Sequence, residues 1–199
     1  MLPQLNLDNN ELCGLNLWGA GTYTPEGIKS IAGALEVNAS LTSLNLQDNR
    51  LGEAGAAALA PGLAANGSLT KLSLGANKLE EEGTKVICVA VKGNTALKDL
   101  DLSGSILSSN IGGSAGAKHV ADMLGVNGSL TSLNLSWNNL RPEGAAALAA
   151  GLAANASLTH LDVTYNNFMN NLGEEGRSVL SDAVKGRDGF TLKLRVEYE

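Results

Sequence analysis

One pattern constrains this chain more than any other: the frame LxxLxLxxNxL recurs along it. It begins at Leu41 (LTSLNLQDNRL), Leu69 (LTKLSLGANKL), Leu97 (LKDLDLSGSIL), Leu130 (LTSLNLSWNNL) and Leu158 (LTHLDVTYNNF), at spacings of 28, 28, 33 and 28 residues. The heptad SLTSLNL therefore appears at 40–46 and again at 129–135, three units downstream. A fixed period of this size marks a solenoid, because one unit cannot bury its own apolar face whereas stacked units share a continuous core.

The second half of each unit aligns on a glycine. Gly27, Gly55, Gly83, Gly116, Gly144 and Gly176 are followed four residues later by Ile31, Leu59, Ile87, Val120, Leu148 and Leu180, and four further on by Leu35, Leu63, Val91, Leu124, Leu152 and Val184. Apolar residues at i+4 and i+8 form one helical stripe. Eleven residues after the glycine stand Asn38, Asn66, Asn94, Asn127 and Asn155. Asn tolerates the left-handed conformation that ends a helix, so these are read as stop signals. Each unit thus predicts a short strand, a loop and a helix of about three turns. Pro25 and Pro142 suit a first helical turn. Pro61, in the middle of EAGAAALAPGLAAN, predicts a bent or shortened helix on the outer face. The six glycines are expected to let each helix start lie close against the sheet.

The first unit is read from Leu2 as LPQLNLDNNEL, with Asn10 and Leu12 in place. Its extra residues then fall between Leu12 and Gly27, in the same loop that carries the extra residues after Leu107 and after Phe168. Leu15 and Leu17 suggest that this first loop folds as a small hairpin over the open N-terminal edge. In the fourth unit Ser105 takes the Asn position. A hydroxyl cannot serve donor and acceptor backbone groups as an amide can, so irregularity is expected there. The tail GRDGFTLKLRVEYE reads as a closing strand over 188–199, with Phe190, Leu192, Leu194 and Val196 covering the last layer.

Frame, Gly-led helix and 28-residue period together resemble the leucine-rich repeat of the ribonuclease-inhibitor-like class. That class includes ribonuclease inhibitors, the sensor arrays of NOD-like receptors and the Ran GTPase-activating proteins. The resemblance covers nearly the whole chain. It implies an α/β leucine-rich repeat solenoid, a right-handed superhelix with a parallel sheet on the concave face and helices on the convex face. It also implies a single domain over 1–199, with repeats starting near 2, 41, 69, 97, 130 and 158. It implies a binding surface and no particular reaction.

Composition agrees with many small layers. Hydrophobic residues make up 44% of the chain but aromatics only 4%, so the apolar mass is largely Leu and Ala. A net charge of −6 without a Lys/Arg cluster argues against nucleic acid and anionic membrane as partners. Cys13 and Cys88 fall at unrelated positions of the repeat and are read as free thiols in a reducing compartment. With no signal peptide and no run approaching the roughly 20 apolar residues of a membrane span, a cytoplasmic protein acting as a monomer is expected.

Candidate functional residues lie on the concave face and the strand-to-helix rim. Asp99, Asp101 and Asp162 with His160 form a mildly acidic stretch. Trp137 and Tyr165 are neighbours at the rim in a chain of seven aromatics, and exposed aromatics flanked by polar groups suit a binding hot spot. The long loops share that rim: 13–26 with Trp18 and Tyr23, another around Ser108 to Gly112, and a third around Met169 to Leu172. A metal site is not expected, because Asp101 and Asp162 are two units apart with Asn134 between them. Neither is catalysis: His119 sits on a helix beside the core stripe, His160 has no nucleophile at a recognisable spacing, and no cofactor motif occurs. The expectation is a non-enzymatic protein-interaction module using the concave sheet and the rim. The alternatives are a regulator of a small GTPase, or a ligand-sensing fragment of a larger receptor.

Overall fold

The computed structural model describes residues 3–16, 19–166 and 172–194. Strands and helices alternate: β1 (Gln4–Asn6), α1 (Glu26–Val37), β2 (Ser43–Asn45), α2 (Gly52–Ala65), β3 (Lys71–Ser73), α3 (Glu80–Val91), β4 (Asp99–Asp101), α4 (Gly113–Leu124), β5 (Ser132–Asn134), α5 (Arg141–Ala154), β6 (His160–Asp162), α6 (Gly173–Ala183) and β7 (Thr191–Lys193). All seven strands pair in parallel and in sequence order. The register carries one leucine per strand across the whole sheet: Leu5, Leu44, Leu72, Leu100, Leu133, Leu161 and Leu192. The chain is a leucine-rich repeat solenoid.

The repeat frame assigns the core. Leu44, Leu72, Leu100, Leu133 and Leu161 are at most 1% exposed, and the second inward position (Leu46, Leu74, Leu102, Leu135, Val163) is fully buried. Burying a leucine stabilises by about 1.5–3 kcal/mol, so each layer contributes its own increment and no single centre dominates. The helical stripe meets the strands from the other side, through Leu59, Ile87, Val120, Leu148 and Leu180. The closing strand is present as β7, and Phe190, Leu192 and Leu194 pack on the last layer. Val196 lies outside the described residues.

Two asparagine ladders stitch the layers. At the strand exits, the Nδ2 of Asn77, Asn110, Asn138 and Asn166 donates to the carbonyls of Leu46, Leu74, Leu102 and Leu135 in the preceding repeat, at 2.7–2.9 Å. Each Oδ1 in turn accepts the backbone N–H of the preceding ladder residue, Asn49, Asn77, Asn110 or Asn138. The fourth rung is therefore Asn110, not Ser105. The extra residues 105–109 precede it, and Ile111 rather than Leu107 enters the core, the two being 0% and 91% exposed. The ladder needs an amide at this point, so the insertion is looped out before it.

The second ladder corrects the reading of the helix ends. Asn38, Asn66 and Asn155 are extended (φ −86°, −77° and −95°), not left-handed. In that conformation the Oδ1 of Asn66 caps the N–H groups of Ser68 and Leu69, while its Nδ2 crosses to the Leu35 and Asn38 carbonyls. Asn127 and Asn155 repeat this geometry. Arg187 closes the ladder. Its guanidinium donates to the Leu152 and Leu158 carbonyls and stacks over Phe190 at 4.6 Å.

Three further expectations change. Pro61 is exposed on the outer face, yet α2 runs 14 residues, as long as α5, which has Ala150 at the matching position. Packing on both sides holds the helix through the lost hydrogen bond. Gly83, Gly144 and Gly176 serve contact with the preceding helix rather than with the sheet, a Cβ on Gly144 lying 3.2 Å from Ala117 Cβ and from Ser114 Cα, while Gly27 and Gly116 make room for the Leu12 and Ile111 carbonyls of their own loops. In the first loop Leu15 pairs antiparallel to Gly21, while Leu17 lies outside the described residues. The loop leans toward the second repeat, however, where the Tyr23 hydroxyl donates to the Leu51 carbonyl at 2.7 Å. Among the described residues no strand pairs with the outer edge of β1, and Leu5 is 40% exposed.

Candidate functional site

The concave candidates are held largely within the scaffold. Asp99 pairs with Lys71 at 2.9 Å, and this bond holds the Lys71 ammonium above its usual pKa. Asp101 and Asp162 occupy the last strand position, where Oδ1 accepts the N–H two residues on, from Ser103 and Thr164. Asn6, Asn45 and Asn134 make the same turn. The recurrence of Asn and Asp in this column is thus a strand-exit device, in which a short polar side chain mimics a turn. Asp101 also accepts from the Ser73 hydroxyl, and Asp162 has Lys193 at 3.7 Å. His160 lies between Ser132 and Thr191 in the register. Asn134 separates Asp101 from Asp162, so the acidic residues do not converge. Among the described residues no group of three His, Cys, Asp or Glu is placed to hold a metal.

The rim is different. In every regular repeat the residue before the ladder asparagine is left-handed: Asn9, Asp48, Ala76, Trp137 and Tyr165, with φ of 52–60°. Asn and Asp tolerate this conformation best, and for other L-residues it costs about 1–2 kcal/mol. Trp137 and Tyr165 are the bulky exceptions. Their rings stack on each other, with centroids 4.0 Å apart and an interplanar angle of 10°. Such a pair returns about 0.5–1.5 kcal/mol beyond its burial, comparable to the backbone strain.

Beside the stack, the fourth-repeat insertion folds as a two-residue hairpin. Ser105 and Ser108 exchange backbone hydrogen bonds at 2.9 and 3.2 Å, leaving Ile106 and Leu107 at the tip. Tips of this kind favour Gly, Asn and Asp. Here they carry two large apolar side chains, 75% and 91% exposed. The stem sits close to the fifth repeat: a Cβ on Gly104 would lie 1.9 Å from the Trp137 carbonyl oxygen, so only glycine fits. Hairpin and aromatic stack border an open pocket of about 170 Å³, lined by residues 105–109, Trp137, Asn139 and Tyr165. Seven large hydrophobic residues are exposed among the described residues, and Ile106, Leu107 and Tyr165 all adjoin this one pocket. Clustering, rather than exposure alone, marks an interaction patch.

Sequence reasoning singled out Trp137 and Tyr165 and missed Ile106 and Leu107, because Leu107 had been placed in the core frame. A signal was available. Asn49 precedes Gly55 by six residues, and only Asn110, not Ser105, stands six before Gly116. Of the first-loop candidates, Tyr23 is a structural tie, while Trp18 lies outside the described residues, as do residues 167–171 of the third loop. Both thiols are free and buried. Burial raises the Cys13 pKa and pushes Cys88 up to about 12, which leaves them unreactive as nucleophiles. His119 lies 3.7 Å from Glu81 across α3 and α4, away from the rim.

Comparison with known proteins agrees with this architecture. A family model described as "Leucine Rich repeat" matches residues 37–60, 126–149 and 154–181. A search of curated proteins finds no match. Among solved structures, the tropomodulin C-terminal domain of Caenorhabditis elegans superposes with a TM-score of 0.63 at 15% identity, covering 79% of this chain and 91% of that one. Leiomodin-1 actin-binding site 2 aligns over 92% of this chain and 82% of its own, at 18% identity and a TM-score of 0.45. The likeness to tropomodulin is one of fold.

Proposed function

We propose that this leucine-rich repeat protein is a protein-interaction module whose contact surface is the strand-to-helix rim of the fourth to sixth repeats. One observation carries the reading: a hairpin tip of two exposed apolar residues stands beside a strained, stacked Trp137–Tyr165 pair. Two adjacent stacked aromatics, at a position where the scaffold elsewhere places Asn, Asp or Ala, are what a binding role explains. A module of this kind needs no catalytic group, metal or cofactor. The 28-residue period and regular outer helices favour the ribonuclease-inhibitor-like class of repeat. Two unpaired thiols favour a reducing, cytoplasmic setting, and no helix of the described residues is long and apolar enough to cross a membrane. Nothing in the structure adds to the GTPase-regulator alternative.

The test is retention of partners by the immobilised full chain against two double variants. Ile106→Ser/Leu107→Ser removes the hairpin tip, and Val37→Ser/Val126→Ser removes equally exposed apolar residues elsewhere. Partners lost only with the first pair support the rim. Equal retention by both variants moves the contact surface away from it.

A further inference from the structure

We infer that the rim pocket is built to take the side chain of an arginine carried on a basic segment of the partner; this rests on the rim being the contact surface. Size comes first. Pockets that hold free metabolites or drug-sized ligands run to about 300–1,000 Å³, whereas a cavity of about 150 Å³ is filled by a single benzene ring. At about 170 Å³ this pocket admits one planar side-chain group.

The walls then select which group. Trp137 is backed by Tyr165, so its indole is held in place before any ligand arrives. An aromatic face attracts cations, and tryptophan does so most strongly. No lining residue carries a charge. Several of the hairpin's donors are already committed. The Ser105 and Ser108 N–H groups bond each other's carbonyls, the Leu107 N–H donates to Ser105 Oγ, and the Ser109 hydroxyl donates to the Asn138 carbonyl. The carbonyls of Ile106 and Leu107 accept no hydrogen bond from the described residues. A guanidinium has five donors and no acceptor, is weakly hydrated, and stacks while donating in its own plane. An aliphatic or phenyl side chain would offer those carbonyls no donor.

Charge points the same way. The chain carries −6 overall. On the concave face of the repeat that bears the hairpin, Lys71 pairs closely with Asp99 and attracts Asp101 only more weakly, so Asp101 is in no ion pair of its own among the described residues. A basic segment anchored at the rim and running onto the sheet would meet Asp101 next.

The experiment is selection of random peptides on the immobilised full chain, with Trp137→Ala and Ile106→Ser/Leu107→Ser as parallel baits. The expected result is a family of peptides sharing an arginine at one aligned position. A synthetic member should lose about tenfold or more in affinity when that arginine becomes leucine, and likewise on the Trp137→Ala chain. The hairpin-tip variant keeps the outcome readable, because two solvent-exposed residues cannot unfold the scaffold. A shared apolar or aromatic motif that still needs Trp137 would overturn the arginine while leaving the rim as the contact surface. Peptides recovered equally on all three baits, or no motif at all, would overturn both.

Discussion

The rim of the second and third repeats and the rim of the fourth to sixth are built on one backbone, yet they carry different surfaces. In the former, Asp48 and Ala76 occupy the left-handed position, and the chain turns directly into the helix. In the latter the same position holds Trp137 and Tyr165, and a hairpin is inserted before Asn110. Beneath both runs one unbroken ladder, Asn49 to Asn77 to Asn110 to Asn138 to Asn166. The difference teaches where the constraint lies: the buried amide is fixed by what it must bond on both sides, and its exposed neighbour is not. Variation, and with it specificity, collects one residue away from the ladder.

The sharpest way to break this comparison is to remove a rung. Asn138→Ala would strip the N–H groups of Asn110 and Ile111 of their acceptor inside the core and leave the Leu102 carbonyl with only its longer bond from Asn110. Leaving several buried polar groups unsatisfied is expected to cost about 3 kcal/mol or more in urea denaturation. Ser105→Ala, at the position the plain frame would make a rung, is expected to cost less than about 0.5 kcal/mol. Similar losses at the two sites would put the insertion on the wrong side of the rung.

That contrast also marks how far the sequence could be read. The strand and helix order, the inward leucines and the closing strand follow from a repeated frame, since periodicity reports burial directly. The hairpin tip did not follow, because ILSSNI offers Leu107 and Ile111 as rival core residues and hydrogen-bond satisfaction, not hydrophobicity, chooses between them. For the same reason the helix-end asparagines were identified correctly as boundaries but given the wrong conformation. Their second bond reaches a residue about 30 positions back, which local propensity cannot see. Trp137 and Tyr165 were visible as rare aromatics, but their stacking depends on the 28-residue register between adjacent layers.

The end of the second ladder gives a smaller effect. Arg187→Ala is expected to cost about 1.5 kcal/mol, because the Leu152 and Leu158 carbonyls lose a charged donor at a site water can reach. Hydrogen exchange should show the loosening confined to β7 and the last helix. An effect spread over all repeats would mean that the layers are more tightly coupled than nearest-neighbour stacking implies. A buried departure from the repeat should respond in the opposite sense. Thr84 stands where Ala56, Ala117 and Ala145 stand in other repeats, and its buried hydroxyl has no hydrogen-bond partner among the described residues. Thr84→Ala is expected to stabilise by about 1 kcal/mol: relief of the orphan hydroxyl and better helix propensity outweigh one lost methyl. A loss of stability would show that this hydroxyl is satisfied.

A modest stability change is expected where the functional change is largest. Trp137→Gly removes a stacking contact worth about 0.5–1.5 kcal/mol and relieves a left-handed strain of about 1–2 kcal/mol. The extra freedom glycine gives the unfolded chain costs about 0.5–1 kcal/mol. The ring's partial burial is lost as well, so a net loss of about 1–2 kcal/mol in denaturation is expected, below that of Asn138→Ala, while retention of partners at the rim is lost. If Trp137→Gly instead unfolded the chain as Asn138→Ala is expected to, the aromatic would belong to the ladder's supporting structure. The rims of repeats two and five would then differ in packing rather than in function.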